Sequence, residues 1–283
     1  MKPELVRSIE AARARSRELR QKGRLGFVPT MGALHRGHGA LIEQARSECA
    51  AVAVSIFVNP IQFDRKEDYQ RYTRNLPADV AFCADLGVDL IFAPEVEEMY
   101  PTEQKTFVEI TDLSSHFCGQ FRPGHFRGVA TVVAKLFHII QPDIAYFGEK
   151  DIQQLTIVRK MAEDLNFPLA ISSVATVREP DGLALSSRNE RLTAEERRLA
   201  PALFQALECT RKAIEAGEGV SEAKQKGLAI LQKIPQMHVE YFEIANPDMQ
   251  PVSEITGPVR VLAAVWLGQT RLIDNVLALK PGK

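Results

Sequence analysis

Short apolar runs that end at proline or glycine alternate with helical patterns through the first two-thirds of this 283-residue chain, and this alternation restricts the fold more than any other feature. Residues 51–58 form one such run, closed by Asn59-Pro60. Residues 88–93 form another, closed by Pro94, and residues 144–147 a third, ending at Gly148. Residues 170–177 are a fourth, and Phe27-Val28 reads as the end of an earlier strand stopped by Pro29. Residues 41–45, 79–86 and 151–165 read as helices, and Val129, Val132, Val133, Leu136, Phe137 and Ile140 recur at helical spacing. Strands this apolar, alternating with helices, belong in a parallel sheet covered on both faces. The expected fold class is therefore α/β, a doubly wound parallel sheet. In such sheets ligands sit beyond the carboxyl ends of the strands. The polar clusters of this chain follow Val28, Val58 and Phe147.

The pattern changes near Val177. Helical stretches at residues 194–216 and 221–234 precede strand-like segments at 239–244, 259–267 and 269–277, with Gly268-Gln269 as a hairpin turn. This describes a smaller C-terminal α+β domain. The first 23 residues are Arg-rich, but they include Glu4, Glu10 and Glu18 and no apolar segment. With Leu5, Val6, Ile9 and Leu19 they read as an amphipathic helix rather than a secretory leader. A net charge of −1 argues against a general nucleic-acid surface, so a phosphate site must be built locally. No apolar run has membrane-spanning length, and neither nucleic acid nor membrane is expected as a partner. Cys49, Cys83, Cys118 and Cys209 are scattered without a Cys-x-x-Cys, which points to free thiols and a cytoplasmic setting.

Three clusters carry chemistry. In Met31-Gly32-Ala33-Leu34-His35-Arg36-Gly37-His38, Gly32 permits a tight turn, and His35 and His38 share a face at a helix start. Free N–H groups and the macrodipole favour anions there. Two ordinary surface histidines are the alternative; the strand–glycine–helix setting favours function. In Phe147-Gly148-Glu149-Lys150-Asp151, Lys150 supplies a mobile charge and Asp151 an oxygen for a divalent metal. An ordinary helix start with a solvated lysine fits the same residues. In Leu185-Ser186-Ser187-Arg188-Asn189, two hydroxyls and a guanidinium suit phosphate oxygens. A polar loop with Thr193 capping the next helix fits equally. Arg122-Pro123-Gly124-His125-Phe126-Arg127-Gly128 either lines a cleft or shapes a turn. Gln62, after Asn59-Pro60-Ile61, is a weak candidate for binding a small polar molecule. His116, His138 and His238 lack a motif and read as structural.

Met31 to His38 resembles the His-x-Gly-His signature of the nucleotidyltransferase superfamily, which includes class I aminoacyl-tRNA synthetases. The segments Val58-Asn59-Pro60-Ile61-Gln62-Phe63, Arg122 to Phe126, Phe147 to Asp151, Gln153-Gln154 and Leu185 to Asn189 follow in order. Together they make the chain similar to the pantoate–β-alanine ligases over nearly its whole length. The resemblance implies a Rossmann-like domain at residues 1–176 that binds ATP and pantoate, and a C-terminal α+β lid at residues 177–283. It implies a cytoplasmic homodimer that joins pantoate to β-alanine with ATP as co-substrate and Mg2+ on the phosphates. A pantoyl adenylate is the intermediate, and AMP and pyrophosphate are released.

By the same resemblance, Met31, Gly32, Ala33, Leu34, His35, Arg36, Gly37 and His38 contact ATP. So do Gly148, Glu149, Lys150, Asp151, Val177, Leu185, Ser186, Ser187 and Arg188. His38 takes the proton-donor position within a catalytic set of His35, His38, Lys150 and Arg188. Gln62 holds pantoate and β-alanine, and Gln154 holds pantoate. Met31, Val132, Val133 and Phe147 wall its methyl groups, and Asp151 holds magnesium directly or through water. Two departures stand out. Tyr72-Thr73-Arg74 replaces the family's common Tyr-Pro-Arg, and Ala78-Asp79 keeps one acid where some members have two. An adenylyltransferase acting on a phosphate acceptor shares the histidine motif but leaves Asn59 to Phe63, Arg122 to Phe126 and the C-terminal domain unexplained. A nucleotide-binding regulator on a decayed enzyme fold is at odds with both histidines, Lys150 and Arg188.

Overall fold

The computed structural model describes residues 2–280; Met1 and residues 281–283, the outer ends of the two expected domains, lie outside them. The first part runs β1 (Glu4–Val6), α1 (Ile9–Arg20), β2 (Leu25–Thr30), α2 (Arg36–Glu48), β3 (Ala51–Ile56), α3 (Lys66–Gln70), α4 (Leu76–Asp85), β4 (Leu90–Phe92) and α5 (Val96–Met99). It continues through α6 (Cys118–Phe121), α7 (His125–Ile140), β5 (Ile144–Gly148), α8 (Ile152–Asp164) and β6 (Ala170–Val174). Then follow α9 (Ala194–Leu199), α10 (Ala202–Glu215), α11 (Val220–Leu231), β7 (Met237–Ala245), β8 (Val259–Leu267) and β9 (Thr270–Ala278).

The first six strands form one parallel sheet in the order β1-β4-β3-β2-β5-β6. Their residues alternate between two cores. Leu25, Phe27, Ala51, Ala53, Leu90, Phe92, Ala145 and Phe147 meet α1, α7 and α8 on one face. Val28, Val52, Val54, Ile91, Ile144 and Tyr146 meet α2 and α4 on the other. Each large side chain so buried contributes about 1.5–3 kcal/mol, so both faces stabilise the Rossmann-like, doubly wound sheet. From β2 the chain steps through β3 to β4 in one direction and later through β5 to β6 in the other. The order therefore reverses between β2 and β5, which is where such sheets open a crevice.

The second sheet, β7-β8-β9, is antiparallel. Gly268, at φ +57, and Gln269 make the two-residue turn that registers Leu267 against Thr270. Helices α10 and α11 cover this sheet through a separate core containing Leu203, Leu207, Leu231, Phe242, Val261 and Val265.

Four local expectations are corrected. Leu5 and Val6 are not helical: they lie in β1, paired with Ile91 and Phe92, and the helix begins only after Ser8, whose side chain accepts the Ala11 N–H at 3.2 Å. Pro29 does not stop β2, which runs on to Thr30. Leu25 exchanges hydrogen bonds with Asp143 on the β5 side, so strand alternation aims Pro29 to that side too, beyond the last pair Phe27↔Ala145. No ladder partner there requires an N–H. The strand beginning at Ala170 ends at Val174 rather than 177. The stretch 194–216 is two helices, because Pro201 lacks the N–H needed to continue α9.

Candidate active site

A cleft of about 250 Å³ opens over the carboxyl ends of β2 and β5. Part of its wall is apolar, built from Phe57, Val129, Val132, Val133, Leu136 and Phe147. Another part carries His38, Lys150, Asp151, Ser186, Ser187 and Arg188. Tyr241, Leu262, Arg271, Ile273, Asp274 and Asn275 from the second sheet complete it.

The turn after β2 is held open by an acid behind it. Gly32 has φ +85 and Ala33 φ +51. The buried Asp79 carboxylate, from α4, accepts the N–H groups of Ala33 at 3.1 Å and Leu34 at 2.8 Å. A Cβ on Gly32 would lie 2.8 Å from that carboxylate, so dihedral and contact both require glycine. His35 then caps α2. Its Nδ1 accepts the Gly37 N–H at 3.1 Å, and the Nδ1 of His38 accepts the His35 N–H at 3.3 Å. With Nδ1 accepting, each neutral ring carries its proton on Nε2. The rings lie 4.2 Å apart. Burial, reinforced by His35, drives the His38 pKa down to about 3, and burial together with the Lys150 charge lowers that of His35. At neutral pH both are neutral N–H donors.

After β5, Glu149–Asp151 make a single 3₁₀ turn that leads into α8. Lys150 Nζ lies 3.7 Å from the Asp151 carboxylate. Desolvation in the cleft opposes ionisation of Asp151, but the charges of Lys150 and Arg188 outweigh it and hold its pKa below the usual carboxylate range. The turn is clamped from the second sheet. Asn275, only 3% exposed, donates to the carbonyls of Glu149 and Lys150 at 2.8 and 3.0 Å. Arg260 meets Glu149 at 3.0 Å. Asp274 accepts the Asn275 N–H at 2.8 Å and takes both arms of Arg178, at 2.6 and 3.0 Å.

The third wall is the 187–191 turn, opened by the Ser186 hydroxyl accepting the Arg188 N–H at 3.2 Å. Opposite it, a relay fixes Gln62. Tyr100 donates to Asn59 Oδ1 at 2.8 Å, and Asn59 donates to Gln62 Oε1 at 3.0 Å. The Gln62 amide N–H₂ is left as the free end, and it meets Met31 Sδ at 3.0 Å. His125 donates from Nδ1 to the Gln62 carbonyl at 2.7 Å and accepts from Arg122 at 3.1 Å. Burial and then Arg122 push its pKa down to about 3.

Of the residues singled out in the sequence, Met31, His38, Gln62, Val132, Val133, Phe147, Lys150, Asp151, Gln154, Ser186, Ser187 and Arg188 line the cleft. Gly32, Ala33, Leu34, His35 and Gly37 build the turn and cap behind His38, and Gly148 begins the Lys150 turn. Glu149 is engaged by Arg260 and Ser173, and Arg36 by Glu179 at 2.9 Å, so neither forms the wall. Leu185 donates to the Val177 carbonyl at 3.0 Å, tying the chain beyond β6 to the serine loop. Asp79, Asn275 and Arg271 are structural contributors that the motifs did not single out as site residues. Arg122 and His125, left open between cleft and turn, do both: they line the cleft and brace Gln62.

Comparison with known proteins gives a consistent result. The family described as pantoate-beta-alanine ligase matches residues 4–277. A pantothenate synthetase of Pelotomaculum thermopropionicum is 49% identical, covering 95% of this chain and 97% of that one. The crystal structure of pantothenate synthetase from Thermus thermophilus superposes with a TM-score of 0.92 at 48% identity, covering 96% and 98% of the two chains. Pantoate-beta-alanine ligase from Francisella tularensis, complexed with beta-gamma ATP and beta-alanine, superposes with a TM-score of 0.82 at 34% identity and 97% coverage of each chain.

Proposed function

The chain belongs to the pantoate–β-alanine ligase family, and from that premise we infer that its cleft joins pantoate to β-alanine at the expense of ATP. The pantoate carboxylate attacks the α-phosphorus, and the bond to the bridging oxygen breaks as pyrophosphate leaves. The β-alanine amine then attacks the carbonyl of the pantoyl adenylate, and AMP departs as the amide forms.

The observation that carries this reading is the meeting of Lys150, Arg188, two serine hydroxyls and the neutral His38 imidazole, backed by the His35 ring, beside an apolar pocket. A carboxylate attacking a polyphosphate is opposed by like charge. The protein must neutralise the charge that grows on the leaving pyrophosphate and hold the reactants in line. Lys150 and Arg188 supply the charge; Ser186, Ser187, His35 and His38 supply fixed donors, His38 from Nε2 as the proton donor. The Gln62 amide, oriented by Asn59, donates to pantoate and later to β-alanine, with Gln154 as the second pantoate contact. Val132, Val133 and Phe147 take the pantoate methyl groups. Residues 31–38, 148–151 and 185–188, with Val177, form the ATP contact, the side chains of Arg36 and Glu149 excepted.

Asp151 is suited to magnesium. Its carboxylate stays ionised, and one protein oxygen completed by phosphate oxygens and water is an arrangement magnesium favours. When bound, the ion would offset phosphate charge. We further propose that residues 177–283 act as a lid on residues 1–176, and that the protein is a cytoplasmic homodimer. Among the described residues no helix is long and apolar enough to cross a membrane. Light scattering tests the dimer.

The chemistry is tested with pantoate labelled by ¹⁸O in its carboxylate. Transfer of one label to the phosphate of AMP, one per pantothenate formed, is the expected result. Label retained wholly in pantothenate overturns carboxylate attack on phosphorus.

A further inference from the structure

We propose that an arginine-lined cavity on the far side of Arg188 receives inorganic pyrophosphate after it is cleaved, as a departure site separate from the place its phosphates occupy in ATP. The proposal rests on the adenylation reading above. The cavity measures about 220 Å³ and shares Arg122, Arg188 and Arg271 with the main cleft. It adds Arg65 and Arg191, so five arginines face three acids, Asp64, Asp68 and Glu240. Two of those acids are already engaged: Asp64 by Arg122 at 3.0 Å and Glu240 by Arg271. Among the described residues no carboxylate lies within 4 Å of the Arg188 or Arg191 guanidinium.

Arg271 is the most telling member. It is 7% exposed, and its Nη1 is buried without a hydrogen-bond partner among the described residues. Glu240 holds the other edge of the guanidinium, Nε donating to it at 3.0 Å. Glu240 sits where the β7–β8 register slips between Val239 and Tyr241. Such a bulge re-aims one side chain, and here it sets Glu240 against Arg271, a residue that lines both cavities. Burial, followed by the nearby charges of Arg122 and Arg271, lowers the Arg188 pKa, and Asp68 and Asp151 offset this in part. Guanidiniums held this way are offset best by an oxyanion able to take several N–H groups at once.

The chemistry of the cleft selects the anion. Pyrophosphate is released beside Lys150 and Arg188, under the second sheet. A route past Val129, Val132, Val133 and Leu136 would strip a polyanion of both water and partners. The route past Arg188 keeps it paired throughout, because that guanidinium faces both cavities. Arg271 and Arg191 then take over from Lys150 and the serines, and the leaving group is drawn away from the adenylate it could otherwise attack.

The test compares wild type with Arg191→Ala and Arg271→Lys. Arg191 is exposed, so its removal leaves the fold intact even if the buried substitution does not. Calorimetric titration with inorganic pyrophosphate reads the site without turnover. Product inhibition by pyrophosphate and the KM for ATP read it during turnover. The expected result is pyrophosphate affinity weakened about tenfold in each variant, with the ATP KM changed by less than about threefold. Equal losses for ATP and pyrophosphate would mean that the cavity merely extends the nucleotide site, and unchanged pyrophosphate affinity would mean that it takes no part; either overturns the proposal. Pyrophosphate binding that responds as expected in a protein unable to adenylate pantoate would instead fault the adenylation reading.

Discussion

The side-chain amide of Asn275 donates to the backbone carbonyl of Lys150 at 3.0 Å across 125 residues of sequence. The same amide holds the Glu149 carbonyl at 2.8 Å, and the Arg178–Asp274 pair braces it from behind. The second sheet therefore positions the lysine turn as well as covering the cleft. Asn275→Ala leaves two carbonyls without their partner, at a cost of about 1–3 kcal/mol in stability. Adenylate formation should fall by roughly tenfold or more as Lys150 loses its place. Thermal denaturation and single-turnover adenylation together check this; an unchanged adenylation rate would show that the clamp does not matter to Lys150.

Asp79 plays the matching part beneath the histidine turn. Asp79→Ala orphans the N–H groups of Ala33 and Leu34 in a turn with two consecutive positive φ angles. A loss of about 1–3 kcal/mol and a rate decrease of about 10² are expected. Asp79→Asn keeps one acceptor oxygen but sets its NH₂, a donor, against the other N–H, so it should recover only part of both. Unchanged stability and rate in Asp79→Ala would show that these hydrogen bonds do not hold the turn.

Gly128 lets α7 approach the Pro60–Gln62 turn. A Cβ there would lie 2.3 Å from the Ile61 carbonyl oxygen and 2.6 Å from Gln62 Cα. Gly128→Ala must push Gln62 aside, costing about 1–3 kcal/mol. The KM for pantoate should rise about tenfold while that for ATP stays nearly constant. Steady-state kinetics with each substrate varied separates the two, and a pantoate KM equal to wild type would contradict the role given to Gln62.

Acid should destabilise the fold through His38 and His125. Both have folded pKa values near 3, below the ordinary 6.5 of the unfolded chain. The unfolded state therefore binds protons that the folded state refuses, and stability is full above about pH 6.5 and declines as pH falls toward 3. At pH 5 each histidine costs about 2 kcal/mol. Melting temperatures at pH 7.5 and 5.0 check this. The drop should be smaller in His125→Asn, and an identical drop would show that His125 does not carry the effect.

The parallel sheet was legible because its strand residues are apolar on both faces, as Val52-Ala53-Val54 are, and because proline and glycine punctuate their ends. The approach of the three polar clusters was legible from their shared position after strands. Pro29 misled because a proline at the end of a ladder needs no partner, which only neighbouring strands reveal. Leu5 and Val6 misled because a three-residue edge strand has no period of its own. Asn275 and Arg271 lie in β9 with partners that are remote in sequence: Asn275 meets the Lys150 turn from far along the chain, and Arg271 meets a bulge on β7. Of the two departures, Thr73 sits in a loop that Arg74 braces through the carbonyls of Tyr69 and Tyr72 at 3.0 and 2.9 Å. Ala78 is exposed, and Asp79 alone makes the contacts to the histidine turn.

ATP–pyrophosphate exchange bears most directly on the assignment. Exchange should require pantoate and proceed without β-alanine. Lys150→Ala should lower it by about 10²–10³ while the protein stays folded by circular dichroism. Exchange driven by a phosphate acceptor instead of pantoate, a need for β-alanine before any exchange occurs, or near wild-type exchange in Lys150→Ala would contradict the account.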